Sequence, residues 1–474
     1  MIKQVFIFLL LCGVNGMAFS QEVTVSKEIF LKNDYAYDIL GKVEDQFLLF
    51  RDKVYNFSVH AYDENLQQKW DREIDFEKKR VKVIGIVPTD SVFNVFYYFR
   101  DRGQHVVKMQ RMNSDLILQD SMRIIEYKDF IAPKYEMIYS ENREKVLMYD
   151  FNGDNEIALL AYDLKEMELL WDKKVIFDKG FLRRDFRDIL LSNAGNMKLI
   201  IERDNSRYGR KKHKIRIIDY NYTNDLISTL ELPLEFLTYD VEFKIDNLNK
   251  NLVGVGLYTD KNLVKAEGFY FIKVALNNME YHQLSKTPFD EETVGEIYGV
   301  GSKKKKKGIN DISVQKIILR QDGGVLAITE LNKVFYRRPS YASPLDRGAG
   351  AGNWADYYFE DILAVSMHKD GTMHWKKVLH KKQYSQDDDA IYSSFFVMEN
   401  PSRLRLIFND EIRNENTVSE YILQGNGLSK RSSVMSTDYQ RLKLRFQEAI
   451  QVASNQIIVP SERNSRLNLV KITY

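Results

Sequence analysis

Short apolar segments alternate with polar turns along nearly the whole chain, a pattern typical of β-strands. One group of four such segments covers 135–140, 145–149, 157–162 and 169–177. A later group repeats the plan at 312–319, 325–335, 362–367 and 373–379. The 3.6-residue period of a helix is nearly absent; even in 438–453, Leu442, Leu444 and Phe446 alternate with polar residues and favour a strand. The pattern predicts an all-β protein.

A unit of about fifty residues recurs within this pattern: an apolar strand, a polar turn and a second strand that carries tryptophan. Three copies lead to Trp70, Trp171 and Trp375. Copies without tryptophan lie at 215–219, 269–272 and 420–423, and the faintest lies at 106–124. Four strands in each unit of this length are the signature of a β-propeller. Two β-sandwich domains fit less well, because the repeat is even and no linker interrupts it.

The two ends of the chain complete one unit between them. Residues 468–474 end where the third strand of a unit would end, and 22–30 resemble a fourth strand without a unit of its own. Pairing them would close the ring and remove its exposed edges. We therefore predict a single propeller over 21–474, with loop insertions at 288–308 and 337–357. It has eight four-stranded blades, or seven if 106–124 is not a separate unit.

Residues 1–20 have the three parts of a secretory signal peptide: basic Lys3, an apolar run, and the small residues Ala18 and Ser20. A lipoprotein signal at Cys12 fits less well, because Leu11 stands where a small residue is expected. We expect export to the periplasm, the outer membrane or the outside of the cell. The remaining chain has no segment with the roughly 18 uncharged apolar residues of a membrane-spanning helix.

Composition excludes several classes of function. The 474 residues contain 69 Lys plus Arg and 67 Asp plus Glu, a net charge of +2, which argues against a nucleic-acid partner. The single cysteine excludes a disulfide scaffold, a cysteine zinc site and an iron–sulfur centre. We predict no cofactor and a chain that is monomeric on its own.

The strings Ala61-Tyr62-Asp63 before Trp70 and Ala161-Tyr162-Asp163 before Trp171 resemble the tryptophan-docking repeat of quinoprotein-like propellers. The second string keeps the family's spacing, the first is one residue shorter, and both lack the usual Thr-Gly turn. That family includes quinone-dependent dehydrogenases and non-catalytic outer-membrane assembly scaffolds. Its dehydrogenases use an adjacent cysteine pair that this chain lacks. The resemblance therefore implies a propeller that acts as a scaffold.

The long connections at 204–212, 288–308, 337–357 and 381–389 all follow the second or fourth strand of a unit, so they emerge on one face of the ring. We predict that this loop-rich face is the binding face, because rigid scaffolds present binding residues on such loops. Its candidate residues are basic or aromatic: Arg207, Arg210, Lys211, Lys212, Lys303, Lys304, Lys305, Lys306, Lys307, Arg337, Arg338, Tyr341, Arg347 and Trp354. They favour an anionic partner, such as an acidic protein patch, a polyanionic glycan or a lipid head group. A solvated lysine loop is the alternative.

Motifs that would identify a chemistry are absent from the sequence. Asp150, Asn152, Asp154 and Glu156 place oxygen atoms at alternate positions, a weak calcium candidate, but Gly153 is misplaced for an EF-hand and a plain turn fits better. His368, His374 and His380 are a weaker metal candidate still, and we predict no metal site. The sequence favours a non-catalytic protein-interaction scaffold. The alternative is a carbohydrate-active or other hydrolytic propeller with a pair of channel carboxylates of raised pKa.

Overall fold

The computed structural model describes residues 21–54, 56–128, 132–177, 182–207, 211–277, 279–299, 307–337, 354–410, 412, 417–437 and 441–474. The predicted signal peptide, residues 1–20, lies outside the described residues. Within the described ranges, no helix is long and apolar enough to cross a membrane.

Eight antiparallel sheets form the molecule. Blade 1 consists of β3 (Ala36–Val43), β4 (Gln46–Asp52), β5 (Phe57–Tyr62) and β6 (Gln68–Glu73). Blade 2 consists of β7 (Lys82–Pro88), β8 (Val92–Asp101), β9 (Gln104–Asn113) and β10 (Leu118–Tyr127). Blade 3 consists of β11 (Glu136–Tyr139), β12 (Lys145–Asn152), β13 (Glu156–Asp163) and β14 (Glu168–Ile176). Blade 4 consists of β15 (Phe186–Leu191), β16 (Met197–Arg203), β17 (Lys214–Asn221) and β18 (Leu226–Pro233).

The second half of the ring follows the same plan. Blade 5 consists of β19 (Leu237–Asp246), β20 (Asn251–Thr259), β21 (Gly268–Ala275) and β22 (Tyr281–Pro288). Blade 6 consists of β23 (Ile312–Leu319), β24 (Val325–Arg337), β25 (Trp354–Met367) and β26 (Met373–Leu379), with β27 (Gln383–Gln386) added to β25. Blade 7 consists of β28 (Phe396–Asn400), β29 (Arg403–Asn409), β30 (Thr417–Gln424) and β31 (Ser429–Ser436). Blade 8 consists of β32 (Ile450–Ala453), β33 (Gln456–Arg463), β34 (Arg466–Thr473) and β1 (Glu22–Val25), and β2 (Ile29–Phe30) also pairs with β34.

Within the described connections, three short helices are present. They are α1 (Leu182–Asp185) before blade 4, α2 (Glu291–Tyr298) before blade 6, and a 3₁₀ helix at Phe446–Glu448 before blade 8. The last of these corrects one expectation, because Leu442, Leu444 and Phe446 are buried but do not form a strand. Their side chains pack between blades 7 and 8, and only Leu444 makes an isolated bridge, to Ser461. Burial between two blades therefore produced the alternation that the sequence pattern attributed to a strand.

The β-propeller predicted from the repeat is confirmed, with eight blades. The faint segment 106–124 falls in β9 and β10 of a complete blade. The predicted joining of the two chain ends is also confirmed: β1 pairs antiparallel with β34, from Glu22 opposite Thr473 to Val25 opposite Val470. The N-terminal strand is thus the fourth strand of the C-terminal blade. Because this closure joins the first blade to the last, no blade interface is left open.

The hydrophobic core lies between the blades, with one cluster of buried side chains at each of the eight interfaces. First strands of neighbouring blades contact one another around most of the ring, so they line the central axis. The tryptophans of the repeat belong to the interfaces. The indole N–H of Trp171 donates to the Gly195 carbonyl at 3.0 Å, and that of Trp375 donates to the Gly425 carbonyl at 2.8 Å, each in the next blade. Trp70 instead donates to Gln46 of its own blade at 3.0 Å.

Several first strands contain a β-bulge in their pairing with the second strand. The register shifts fall between Ile39 and Gly41, Val83 and Gly85, Phe186 and Asp188, Thr238 and Asp240, and Val314 and Lys316. A bulge bends its strand and redirects the next side chains. Here it controls which residues of the innermost strands face the channel.

Candidate interaction surface

Among the described residues, the second and third strands extend furthest past the first strand in blade 6, where a fifth strand, β27, is added. Within the blade, β23 pairs with β24 only as far as Ile312 opposite Leu331. From there β24 and β25 continue together, from Asn332 opposite Phe359 to Arg337 opposite Trp354. On its other side, this part of β25 pairs with β27, which replaces β26. We call residues 332–337, 354–359 and β27 the arm.

The arm projects on the loop-rich face, where second strands end. The ends of the predicted insertion 337–357 are therefore strand residues, and its middle, 338–353, lies outside the described residues. The predicted long connection 381–389 likewise contains β27. The insertion 288–308 contains α2, which begins where the Asp290 side chain accepts a hydrogen bond from the Thr293 backbone N–H at 2.9 Å.

One surface of the arm carries a row of aromatic rings. Paired residues on neighbouring strands share a face, so Phe335, Tyr358 and Tyr384 lie on the same side of the sheet. Their ring centroids are 5.7 Å apart from Phe335 to Tyr358 and 4.9 Å apart from Tyr358 to Tyr384. The Lys333 ammonium lies 4.2 Å from the centre of the Phe335 ring. The row is thus an aromatic surface with a cation at one end.

Asp356 organises the polar part of the same surface. Its carboxylate accepts hydrogen bonds from the Tyr384 hydroxyl at 2.9 Å and the Gln386 amide at 2.7 Å. It also forms an ion pair with the Arg337 guanidinium at 3.1 Å. Arg337 in turn donates to both oxygens of Asp387, at 3.1 and 2.9 Å. These contacts hold the three strands of the arm together by side chains as well as by the backbone.

The opposite surface of the arm is exposed along β24 and buried on the side of β25 and β27. Val334 is 41% exposed and Tyr336 is 71% exposed, whereas Ala355 and Ser385 are buried. Large apolar side chains exposed next to one another on a monomer commonly mark a binding site.

The base of the arm rests on a buried polar network between blades 6 and 7. Lys381 and Glu330 form an ion pair of 2.6 Å, and both side chains are completely buried. The Ser394 hydroxyl donates to Glu330 at 2.6 Å, and the Lys381 ammonium donates to Gln383 at 2.8 Å. Gln383 is the first residue of β27, so this network places the arm on the ring.

The described members of the predicted basic set lie in different elements. Lys212 pairs with Glu235 at 2.8 Å, Arg337 belongs to the arm, and the Lys307 carbonyl accepts a hydrogen bond from Lys265. Arg207 and Lys211 are exposed. Arg210, Lys303–Lys306, Arg338, Tyr341 and Arg347 lie outside the described residues, and only the backbone of Trp354 is described. The structure thus brings Arg337 and the Trp354 backbone together in one element.

The weak metal candidates have other partners. Asp150 accepts from the Lys134 backbone N–H at 2.9 Å, and Asn152 donates to Glu156 at 2.8 Å. The ring centroids of His368 and His374 are 4.6 Å apart, while His380 contacts Asp361 at 3.1 Å. In the part of the chain that the structure describes, no group of three or more His, Cys, Asp or Glu side chains is placed to hold a metal ion.

The central channel contains carboxylates that the sequence analysis did not single out. Asp188 on β15 and Glu242 on β19 belong to neighbouring first strands, and both are partly buried. Burial, opposed by the Lys244 charge and assisted by the Asp188 charge, raises the pKa of Glu242 to about 7. Burial raises the pKa of Asp188 to about 6. Asp188 follows the bulge in β15, whereas Glu242 lies two residues beyond the bulge in β19, and neither position is marked by a sequence motif.

A cavity of about 820 Å³ occupies the other, turn-lined end of the channel. It lies among blades 8, 1, 2 and 3, and its charged lining includes Asp38, Lys42, Arg111 and Arg143. Arg111 donates to the Asn94 side chain at 2.9 Å, and burial raises the pKa of Asp38. The charges there are mixed in sign and are partly engaged in bonds within the ring.

Comparison with known proteins assigns no family. No protein-family model and no curated protein matches the chain. Among solved structures, it is similar to Sqt1 from Chaetomium thermophilum, with 8% identity over 95% of this chain and 99% of that chain and a TM-score of 0.44. The WD40 domain of SCAP from fission yeast shows 8% identity over 97% and 99%, with a TM-score of 0.41. The β-propeller domain of the trilobed protease from Pyrococcus furiosus shows 11% identity over 88% and 99%, with a TM-score of 0.37.

The protein is therefore a β-propeller by its own sheet topology and ring closure. The resemblance to quinoprotein-like propellers stays a prediction.

Proposed function

We propose that this propeller is an exported, non-catalytic scaffold of the cell envelope that binds a partner protein through the arm. The observation that carries the proposal is the continuation of β24 and β25 past the blade, with Phe335 and Tyr336 exposed at 47% and 71%. A rigid three-stranded element with exposed aromatic side chains is suited to binding, because its geometry is set before the partner arrives.

The chemistry of the arm favours a protein partner. Tyrosine, tryptophan and arginine are the residue types that contribute most to binding energy at protein interfaces, and the arm contains Tyr336, Tyr358, Tyr384 and Arg337. The remaining basic residues of the loop-rich face favour an acidic patch on the partner, which would accelerate association through long-range attraction. An anionic glycan or a lipid head group would use the same charges.

Export rests on the sequence of residues 1–20 and agrees with the absence of cysteine from the rest of the chain. A protein without disulfides needs other sources of stability outside the cell. Ring closure by β1 and the eight apolar interfaces supply them.

Affinity capture of the full chain in an envelope extract of the source organism tests the proposal. Proteins retained by wild type would be compared with those retained by a Phe335→Ser/Tyr336→Ser variant. Leu428→Ser is a matched control, because Leu428 is 62% exposed in the short turn between β30 and β31, on the opposite face. We expect a partner that is retained by wild type and the control and lost by the arm variant. Equal recovery by all three would reject the arm as the binding site.

A hydrolytic propeller is a second candidate function, favoured by Asp188 and Glu242. Two carboxyls of different pKa on adjacent inner strands could act as acid and base on a glycosidic bond. The test is a screen of purified protein on plant, algal and bacterial polysaccharides, with reducing ends measured for wild type and Glu242→Gln. Hydrolysis that Glu242→Gln abolishes would support the enzyme, and hydrolysis unaffected by that change would assign it to another site or a contaminant.

A further inference from the structure

We infer that the partner docks by adding an extended strand to the free edge of β24 in the arm. This inference rests on the proposed function, since it names the way in which the arm would bind its partner. Strand addition is an established mode of peptide recognition, in which backbone hydrogen bonds supply affinity and alternate side chains supply specificity.

The edge is open because β23 starts too late to cover it. The last backbone bond on that side is donated by the Asn332 N–H to the Asp311 carbonyl at 2.7 Å. Backbone groups of a strand alternate in direction, so the N–H and C=O groups of Val334 and Tyr336 point to the same side as those of Asn332. Among the described residues, no backbone hydrogen bond reaches them on that side. Two donors and two acceptors are therefore available to an added strand.

Side chains along the same edge would contact an added strand on both faces of the arm. Val334 and Tyr336 project on one face of the arm, and Lys333 and Phe335 project on the other. Val334, Phe335 and Tyr336 are all more than 40% exposed. An incoming strand would thus find apolar contacts on each face as well as the backbone ladder.

The position of the edge also suits a partner. β23 is the innermost strand of blade 6, so the open edge of β24 lies on the axis side of the arm. An added strand would continue the line of β23 beyond Ile312 and lie beside the mouth of the channel on the loop-rich face.

Charge favours a different protein over a second copy of this chain. Lys333 is 46% exposed, and its nearest carboxylate, Asp311, is 3.8 Å away. In the antiparallel register that pairs all of 333–337 with itself, Lys333 would lie opposite Arg337 of the second copy, and like charges directly opposite are destabilising. The occupant we infer is an extended segment of a partner protein with apolar alternate residues and an acidic residue opposite Lys333.

Val334→Pro and Val334→Ala separate strand addition from side-chain contact. Proline removes the outward N–H of residue 334 without breaking a bond to β25, and proline is tolerated where the N–H of an edge strand faces solvent. Alanine shortens the side chain and keeps the N–H. Each full-length variant would be used to capture proteins from the envelope extract, with bound proteins quantified by mass spectrometry and folding checked by circular dichroism.

We expect recovery of the partner to fall at least tenfold with Val334→Pro and less than threefold with Val334→Ala. In the complex, hydrogen exchange of the Val334 and Tyr336 amides should slow relative to the free protein. If Phe335→Ser/Tyr336→Ser loses the partner while Val334→Pro retains it, the proposed function stands and strand addition is wrong. If all these variants retain it, both are wrong. A wild-type dimer in light scattering that Val334→Pro converts to a monomer would assign the edge to a second copy and overturn the inference.

Discussion

Lys381 and Glu330 form an ion pair of 2.6 Å in which neither side chain has any solvent exposure. The pair lies between blades 6 and 7, directly below the arm. Two fully buried charges are tolerated only when each neutralises the other and when their remaining hydrogen-bond donors and acceptors have partners. Gln383 and Ser394 supply such partners here.

Removing one charge of this pair should lower the free energy of unfolding far more than removing both charges. We expect Lys381→Met to lower the free energy of unfolding by about 3–5 kcal/mol, because Glu330 is left buried without a counter-charge. The double variant Lys381→Met/Glu330→Gln should recover much of that loss. Urea unfolding measures both, with Lys212→Met as control, since the exposed Lys212–Glu235 pair is screened by solvent and contributes little to stability. Equal midpoints for Lys381→Met and the control would contradict the prediction.

The Trp375 contact between blades 6 and 7 should be sensitive to substitution of Gly427 and insensitive to substitution of Gly425. Gly427 has φ +85°, and a Cβ there would lie 2.8 Å from the Trp375 ring. We expect Gly427→Ala to cost about 1–3 kcal/mol through backbone strain and displacement of the ring. Gly425→Ala is the control, because a Cβ at 425 meets nothing within 4 Å. Thermal unfolding followed by tryptophan fluorescence compares the two, and similar losses would argue against this contact.

Ring closure should make the N-terminal strand necessary for both stability and solubility. Deleting 21–26 removes β1 and uncovers the edge of β34, and it also removes Val23 and Val25 from the core between blades 7 and 8. We expect a lower melting temperature and concentration-dependent association, because a bare strand edge pairs with other chains. Scanning calorimetry and light scattering test this, with Glu22→Gln as a control that leaves the strand intact. A truncated chain that melts like wild type and stays monomeric would mean that closure contributes little.

Stability should decrease as the pH rises through the range in which Glu242 ionises. Burial raises the pKa of Glu242 from 4.5 to about 7, so between these values the folded protein keeps a proton that the unfolded chain has released. The free energy of unfolding therefore falls with increasing pH in this window, and Asp188 adds to the same trend below pH 6.

Glu242→Gln should remove most of this decrease. We expect the variant to be about 1–2 kcal/mol more stable than wild type at pH 8 and similar at pH 4, allowing for partial solvent screening of the charge. Urea titrations at pH 4, 6 and 8 measure the difference. Glu235→Gln, the same substitution at an exposed position, is the control. A Glu242→Gln curve parallel to wild type would show that this carboxyl does not carry the effect.

Part of the fold was predictable because its signals are local. In the unit that ends at Trp171, the expected strand 157–162 corresponds to Glu156–Asp163, and the expected strand 169–177 to Glu168–Ile176. Alternation and turn residues act over a few neighbouring positions, so they can be read without knowing the fold. The 3₁₀ helix at Phe446–Glu448 was not predictable in this way, because a neighbouring blade determines the burial of its side chains.

The candidate site was less predictable for the same reason. The sequence pointed to the loop-rich face and to Arg337 as a residue for an anionic partner, whereas Asp387 of the same face carries the opposite charge. The structure joins the two residues at 2.9 Å, so they stabilise the arm instead of standing apart. Fifty residues separate them in the chain, and only the pairing of β27 with β25 brings them together.

The sequence by itself determined that this protein is an all-β ring of repeated units whose last blade takes its fourth strand from the N-terminus. Those features follow from periodicity, turn chemistry and repeat length, which are properties of short segments. Only the tertiary structure decided that Val334 and Tyr336 lie on an open strand edge and that Asp188 and Glu242 share the channel. Both results depend on where one strand ends relative to its neighbour, and that is set by packing between residues far apart in the chain.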